Sequence, residues 1–270
     1  MKDLKGKNAL VTGAALGMGK DLSERLINEG CSVALVDVNA NELAKTYKEL
    51  EKKGRCAQYI CDVSDRKAVY QLAEKVSKEM GIVEILINNA GIVRAKELVD
   101  LDDRDIELMI NVNLTAQFWM SKAFLPGMIR KKKGHIVNFA SAGGILAIPN
   151  LSAYCASKFG VVGFSDALRQ EMRKHRLNIG VTCVCPNTVN TGMFDGSKMV
   201  AGTKMLSAAD VNIRVIDAIK KNRAMVAVPN VSVKFVTPLM KLLLPIKAMD
   251  WLNEKLGMAT CNDTWRGRAC

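Results

Sequence analysis

Tyr154 and Lys158 stand four residues apart in the run Ser152-Ala153-Tyr154-Cys155-Ala156-Ser157-Lys158, and Ser141 lies thirteen residues before the tyrosine. On a helix, residues at this spacing share one face, one turn apart. A phenol beside an ammonium becomes an acid–base catalyst near neutral pH if its pKa falls from about 10 by roughly 3 units, or about 4 kcal/mol. An ammonium about 4 Å away, at an effective dielectric of about 20, supplies roughly that much before desolvation is subtracted. The pair alone does not establish a site, because the same spacing arises on ordinary surface helices. What surrounds it has to decide.

Four other stretches carry residue types suited to a nucleotide. The run Thr12-Gly13-Ala14-Ala15-Leu16-Gly17-Met18-Gly19 places three glycines between an apolar run and an amphipathic one. Glycines there allow a sharp backbone turn and let a pyrophosphate approach the start of the next helix. The spacing is G-x-x-x-G-x-G, not the G-x-G-x-x-G of the general dinucleotide fingerprint. Asp37 follows, eighteen residues after Gly19. A carboxylate there can accept hydrogen bonds from ribose hydroxyls and would repel a 2′-phosphate, so the expected cofactor is NAD(H) rather than NADP(H). Asp62 and Val63 sit where side chains could reach an adenine, and the small residues of Asn88-Asn89-Ala90-Gly91 would let a cofactor lie against the sheet edge. Asn113 falls in a helical stretch, where asparagine often bonds to the backbone and distorts the helix locally.

The elements that would position these residues follow from the apolar pattern. Short apolar runs occur at Asn8–Val11, Ser32–Asp37, Cys56–Ile60, Ile85–Ile87, Ile136–Phe139, Ile179–Val184 and Met225–Pro229, mostly separated by helix-length segments. Continuous apolar strands alternating with helices mean a parallel sheet covered on both faces. The expectation is a single α/β domain over residues 1–270, a doubly wound, Rossmann-like parallel sheet.

Composition narrows the function classes. The eight cysteines are scattered with no C-x-x-C pair, which reads as reduced core thiols and gives neither a disulfide framework nor a metal site. Met1 leads directly into the first strand pattern, and no apolar run reaches the roughly 18 residues of a membrane span, so a cytoplasmic location is expected. The net charge is +12, but aromatic residues are 5% and do not interleave with the basic ones, so nucleic acid is not expected as a partner. The densest cluster, Arg130-Lys131-Lys132-Lys133 before Gly134, reads as a helix end with the glycine as its stop.

Taken together, Thr12, Gly13, Gly17 and Gly19, Asn88-Asn89-Ala90-Gly91, Asn113, Ser141, Tyr154 and Lys158 resemble the short-chain dehydrogenase/reductase family over about residues 5 to 195. The resemblance implies Tyr154 as general acid/base, Lys158 as the residue that binds the nicotinamide ribose and lowers the tyrosine's pKa, and Ser141 as the holder of the substrate oxygen. Asn113 would keep a proton relay in place. Gly13, Leu16, Gly17, Met18, Gly19, Asp37, Asp62, Val63, Asn89, Ala90 and Gly91 would line the cofactor, with Pro186, Val189 and Thr191 near the nicotinamide. The sequence departs from the family where Pro186 is followed by Asn187 in place of glycine. Asparagine can stand in for glycine in a left-handed conformation. Pro-Asn-x-Val-Asn-Thr-Gly is also similar to the branch holding 17β-hydroxysteroid and retinol dehydrogenases.

Beyond the cofactor half, Gly192–Leu206 reads as a substrate lid. Residues 230–270 form an apolar extension whose prolines, Pro238 and Pro245, should prevent one long helix. That extension suits a pocket wall, a subunit interface or peripheral membrane contact. The expected activity is interconversion of a lipophilic secondary alcohol and a ketone, with a hydroxysteroid first. A retinol or long-chain alcohol dehydrogenase, a 3-oxoacyl thioester reductase and a non-catalytic nucleotide-binding scaffold are the alternatives. The resemblance implies a homo-oligomer, a tetramer or a dimer.

Overall fold

Each apolar run becomes a strand: β1 (Asn8–Thr12), β2 (Ser32–Asp37), β3 (Cys56–Ile60), β4 (Ile85–Asn88), β5 (Gly134–Phe139), β6 (Ile179–Pro186) and β7 (Met225–Val228). The computed structural model describes residues 1–267, so Cys270 lies outside the described residues. All pairings are parallel, in the order β3-β2-β1-β4-β5-β6-β7. The order reverses between β1 and β4, and ligands of such sheets bind outside the strand ends at that switch point. The glycine turn follows β1 and Asn88-Asn89-Ala90-Gly91 closes β4, so both flank it.

Strand parity explains the two helix layers. Ala9, Val11, Val33, Leu35, Ile85 and Ile87 face one layer, where they pack with Leu22 and Leu26 of α1 (Gly17–Asn28), Leu43 of α2 (Ala40–Leu50) and Val215 and Ile219 of α7 (Ala208–Lys221). The alternate residues Leu10, Ala34, Val36 and Leu86 face the other layer. They pack with Leu72 and Val76 of α3 (Arg66–Met80), Met120 and Phe124 of α5 (Ala116–Lys131), and Leu168 and Met172 of α6 (Ser152–Lys174). The inner strands thus bury both faces, which is why their sequence shows runs rather than alternation, whereas the edge strand β3 exposes Gln58 and Ile60.

Two local expectations are corrected. The basic cluster does end α5, but Lys132 takes the left-handed position (φ +50°), not Gly134. Gly134 already belongs to β5 and is small because a Cβ there would come within 2.6 Å of the Met128 sulfur. In the extension, only Pro245 separates helices, between α8 (Thr237–Leu243) and α9 (Ile246–Lys255). Pro238 lies within a helical run that starts before it, because the π-turn Ser232–Val236 widens the backbone just ahead of the proline.

Asn113 distorts its helix as expected. Residues Asn111–Thr115 form a π-turn between α4 (Asp103–Ile110) and α5. Among the described residues no helix is long and apolar enough to cross a membrane.

Candidate active site

The cofactor cradle is built from the ends of β1, β2 and β4. Gly13 and Gly17 adopt positive φ (+65° and +56°), and a Cβ on Gly19 would come within 1.9 Å of the Gly13 carbonyl oxygen. Only glycine lets α1 start this close to the turn. Leu16, the N-cap of α1, caps with no side-chain hydrogen bond, and no acid lies in the first turn. By contrast Asn39, Asp65 and Ser207 cap α2, α3 and α7 with their side chains. The first-turn N–H groups of α1 are thus left for an anion. Asp37 closes β2, where its carboxylate accepts from the Ala15 and Asn39 amides at 2.9 and 3.0 Å. These residues fit a dinucleotide: a glycine-cleared helix start for phosphate and a carboxylate at the next strand end for ribose.

Asn89 and Ala90 hold the cradle together. The Thr12 hydroxyl accepts from both their amides at 3.0 Å, and Asn89 Nδ2 donates to the Thr12 and Gly13 carbonyls at 2.9 and 3.2 Å. The asparagine thereby fixes the glycine turn against β4. Asp62 is exposed just past β3, with its carboxylate accepting from the Ser64 amide and hydroxyl, whereas the Val63 side chain is packed in the core. Only Asp62 of these two presents its side chain at the surface.

Tyr154, Ser141 and Lys158 come together at the base of the same cleft. Ser141 lies two residues past β5 and Tyr154 in the first turn of α6. Burial pushes the Tyr154 phenol up to about 12, against a smaller downward pull from the Ser141 side chain. Lys158 is buried as well, and desolvation lowers its pKa to about 8. Its Nζ donates to the Phe139 carbonyl at 2.9 Å and lies 5.6 Å from the Tyr154 ring centroid. In the protein alone, burial is thus the largest influence on the phenol, since a phenolate is costly to desolvate.

Asn113 is fully buried and braces the site from below. Its Oδ1 accepts from the Ile92 amide at 2.8 Å, while Nδ2 donates to the Ile92 carbonyl at 2.9 Å and to Ser157 Oγ at 3.2 Å. A Cβ on Gly91 would stand 3.2 Å from Asn113 Oδ1 and 3.5 Å from Lys158 Nζ, so this glycine keeps the space beside the lysine clear. The Asn113 carbonyl accepts from Gln117 Nε2 at 2.9 Å, and the same amide reaches the Phe139 carbonyl that holds Lys158.

The cleft encloses about 920 Å³, part of it open to solvent. Met18, Pro186, Val189 and Thr191 line it, as do Ile148, Leu151, Met193, Phe194 and Val200, which make one wall apolar. Phe194 stands edge-on to Tyr154, with ring centroids 5.8 Å apart. Asn187 corrects the expectation made for it: it does not adopt a positive φ. Its amide instead donates to the Val228 carbonyl at 2.8 Å, and its Oδ1 accepts from the Thr188 amide at 2.9 Å, so the loop forms by side-chain bonding.

Sequence reasoning missed three contributors. A Cβ on Gly144 would come within 2.6 Å of the Lys158 carbonyl, and one on Gly143 within 3.4 Å of the Tyr154 ring, so the loop after Ser141 needs small residues to lie on α6. The signal was present as Ala142-Gly143-Gly144. Gln117 had no signal beyond its place on a helix. Cys261 and Asn262 line the cleft from the far end of the chain, where irregular sequence carries no periodicity to read. Phe235, Leu242 and Ile246 of the apolar extension do not line it and stand exposed.

Residues 7–199 match the family model described as short chain dehydrogenase. Epidermal retinol dehydrogenase 2 of Mus musculus is 36% identical, over 99% of this chain and 87% of its own. Estradiol 17-beta-dehydrogenase 11 of Macaca fascicularis is 35% identical, over 95% and 85%. A short-chain dehydrogenase/reductase from Burkholderia phymatum, solved in complex with NAD, superposes with a TM-score of 0.82 at 26% identity, covering 93% of this chain and 97% of that one.

Proposed function

Because this chain belongs to the short-chain dehydrogenase family, we propose that it is an NAD(H)-dependent oxidoreductase that interconverts a lipophilic secondary alcohol and its ketone, with a hydroxysteroid as the leading substrate class. The observation that carries this reading is that Ser141, Tyr154 and Lys158 line one cleft with an apolar wall, Lys158 standing one helical turn past Tyr154. A nicotinamide, when bound, supplies the hydride acceptor or donor. In the oxidation direction, the ionised Tyr154 phenol takes the substrate hydroxyl proton while the carbinol hydrogen departs with its electron pair. In reduction, the neutral phenol returns that proton to the carbonyl oxygen. Ser141 holds the substrate oxygen within reach of the phenol, and the burial of the phenol strengthens the hydrogen bond it makes to that oxygen.

Asp37 supports NAD(H) over NADP(H), since a carboxylate at the end of β2 would stand against a 2′-phosphate. The solved relative was determined with NAD, and two relatives are named for estradiol and retinol, both lipophilic alcohols.

The test is steady-state turnover of estradiol, retinol and an acetoacetyl thioester with each nicotinamide cofactor, followed at the NADH or NADPH absorbance. Activity confined to the alcohols with NAD⁺ is expected. Strong preference for NADPH and the thioester would replace this reading by a 3-oxoacyl thioester reductase. Tyr154→Phe should lower kcat at least about a thousandfold, within the range of losing a general acid–base group. NADH binding, read by fluorescence, should persist. Unchanged turnover in that variant would remove the tyrosine from the chemistry.

A further inference from the structure

The C-terminal segment crosses the mouth of the cleft and is bonded to both of its walls. On one side, the Lys198 amide donates to the Cys261 carbonyl at 2.7 Å, Thr264 Oγ1 to the Gly196 carbonyl at 2.6 Å, and Trp265 Nε1 to the Met193 carbonyl at 3.1 Å. On the other, Asn150 Nδ2 donates to Asp263 Oδ1 at 3.0 Å. Asn262 lies between these anchors, lines the cleft and is only 6% exposed.

Its side chain is unevenly satisfied. Oδ1 accepts from Ser197 Oγ at a normal 3.0 Å. Nδ2 has only the Pro149 carbonyl at 3.5 Å and the Cys261 sulfur at 3.4 Å. The first is longer than the usual N–H···O range, and a thiol sulfur is a weak acceptor. A buried donor so poorly paired carries a desolvation cost that a ligand oxygen would relieve. The neighbouring wall carries the apolar residues Ile148, Leu151 and Val200.

We propose that Asn262 is a specificity-determining residue: its amide donates to a second oxygen on a lipophilic substrate whose first oxygen is held by Ser141 and Tyr154. This rests on the alcohol dehydrogenase reading and adds to it that the substrate carries two oxygens, one at the reacting carbon and one remote from it. The anchors on both walls keep the amide in place before the substrate arrives, so recognition of the second oxygen costs little ordering.

The test uses two saturated C19 steroids, one with a single 17-hydroxyl and one with the same hydroxyl and a ketone at C3, oxidised with NAD⁺ by the full chain. KM is expected to be about tenfold lower for the two-oxygen steroid, equivalent to about 1.4 kcal/mol. Asn262→Leu should collapse that ratio toward one, chiefly by raising KM for the two-oxygen steroid. Ser197→Ala removes the bond to Oδ1 and leaves Nδ2 intact, so it should keep the ratio. A wild-type ratio near one, a ratio that survives Asn262→Leu, or a ratio that collapses equally in Ser197→Ala would each overturn the proposal. Turnover of neither steroid, with NADH binding intact, would overturn the dehydrogenase reading on which it stands and is recognised by the absence of any rate.

Discussion

The phenol of Tyr154 has to exist in two states, and its surroundings favour the protonated one. Burial raises it to about 12, and Lys158 beside it is depressed to about 8. Oxidation requires the phenolate and reduction requires the phenol, so the two directions must respond differently to pH. From pH 6 to 9, below the phenol's raised pKa, log kcat/KM for alcohol oxidation should rise while that for ketone reduction stays level. Parallel slopes, measured with the same substrate pair, would mean that another group exchanges the proton. At this scale the sequence was informative where function sets the spacing. Tyr154, Lys158 and Ser141 meet because a four-residue interval is fixed by helical geometry and the serine stands at a strand end. It was uninformative where neighbours choose a conformation. Lys132 takes a left-handed turn, closed as the Lys133 N–H donates to the Met128 carbonyl, and Asn187 does not, because its backbone N–H is held by the Val228 carbonyl 41 residues on.

Elements were legible almost in full, because every strand but the edge strand β3 buries both faces and therefore writes a largely apolar run. The polar residues inside those runs are the exceptions. His135 of β5 is 1% exposed, and its Nε2 lies 2.7 Å from the Thr182 hydroxyl. That hydroxyl donates to the Arg223 carbonyl, so the imidazole must be the donor to it. Burial lowers the imidazole pKa to about 3. The folded protein therefore refuses a proton that the unfolded chain accepts below about pH 6.5, and stability falls as pH drops from there toward 3. The loss is up to about 1.4 kcal/mol per pH unit. Urea midpoints across that range should show a shallower slope for His135→Gln than for the wild type. An unchanged slope would assign the acid sensitivity to other groups. The π-turn at Asn113 was half legible: an asparagine in a helix signals a local defect, but its bonds to Ile92 depend on a loop 21 residues earlier in the chain.

Across the whole molecule the apolar residues divide into two populations. Most of those in the sheet and its two helix layers are buried, whereas Leu242 and Ile246 are 81% and 80% exposed on the arm that follows β7. Hydrophobic patterning alone gave these residues no address, since Leu and Ile read alike in a core and on an arm. Because they pack against little of their own chain, Leu242→Ser with Ile246→Ser should change the monomer's unfolding free energy by less than about 0.5 kcal/mol. Equilibrium denaturation at low protein concentration measures this, and a loss of several kcal/mol would show that the arm is core.

The bonds from Thr264 and Trp265 to the loop beyond β6, and from Asn150 to Asp263, give the molecule a direction in time. A chain is synthesised from its N-terminus, and units that are already complete can fold as they emerge. Every strand among the described residues precedes residue 229, so the cradle for the nucleotide has all its parts before the residues from 230 on are made. The segment carrying Asn262 leaves the ribosome after those parts. A nascent or C-terminally clipped chain therefore has the parts to hold a nucleotide before it has those that select what is oxidised.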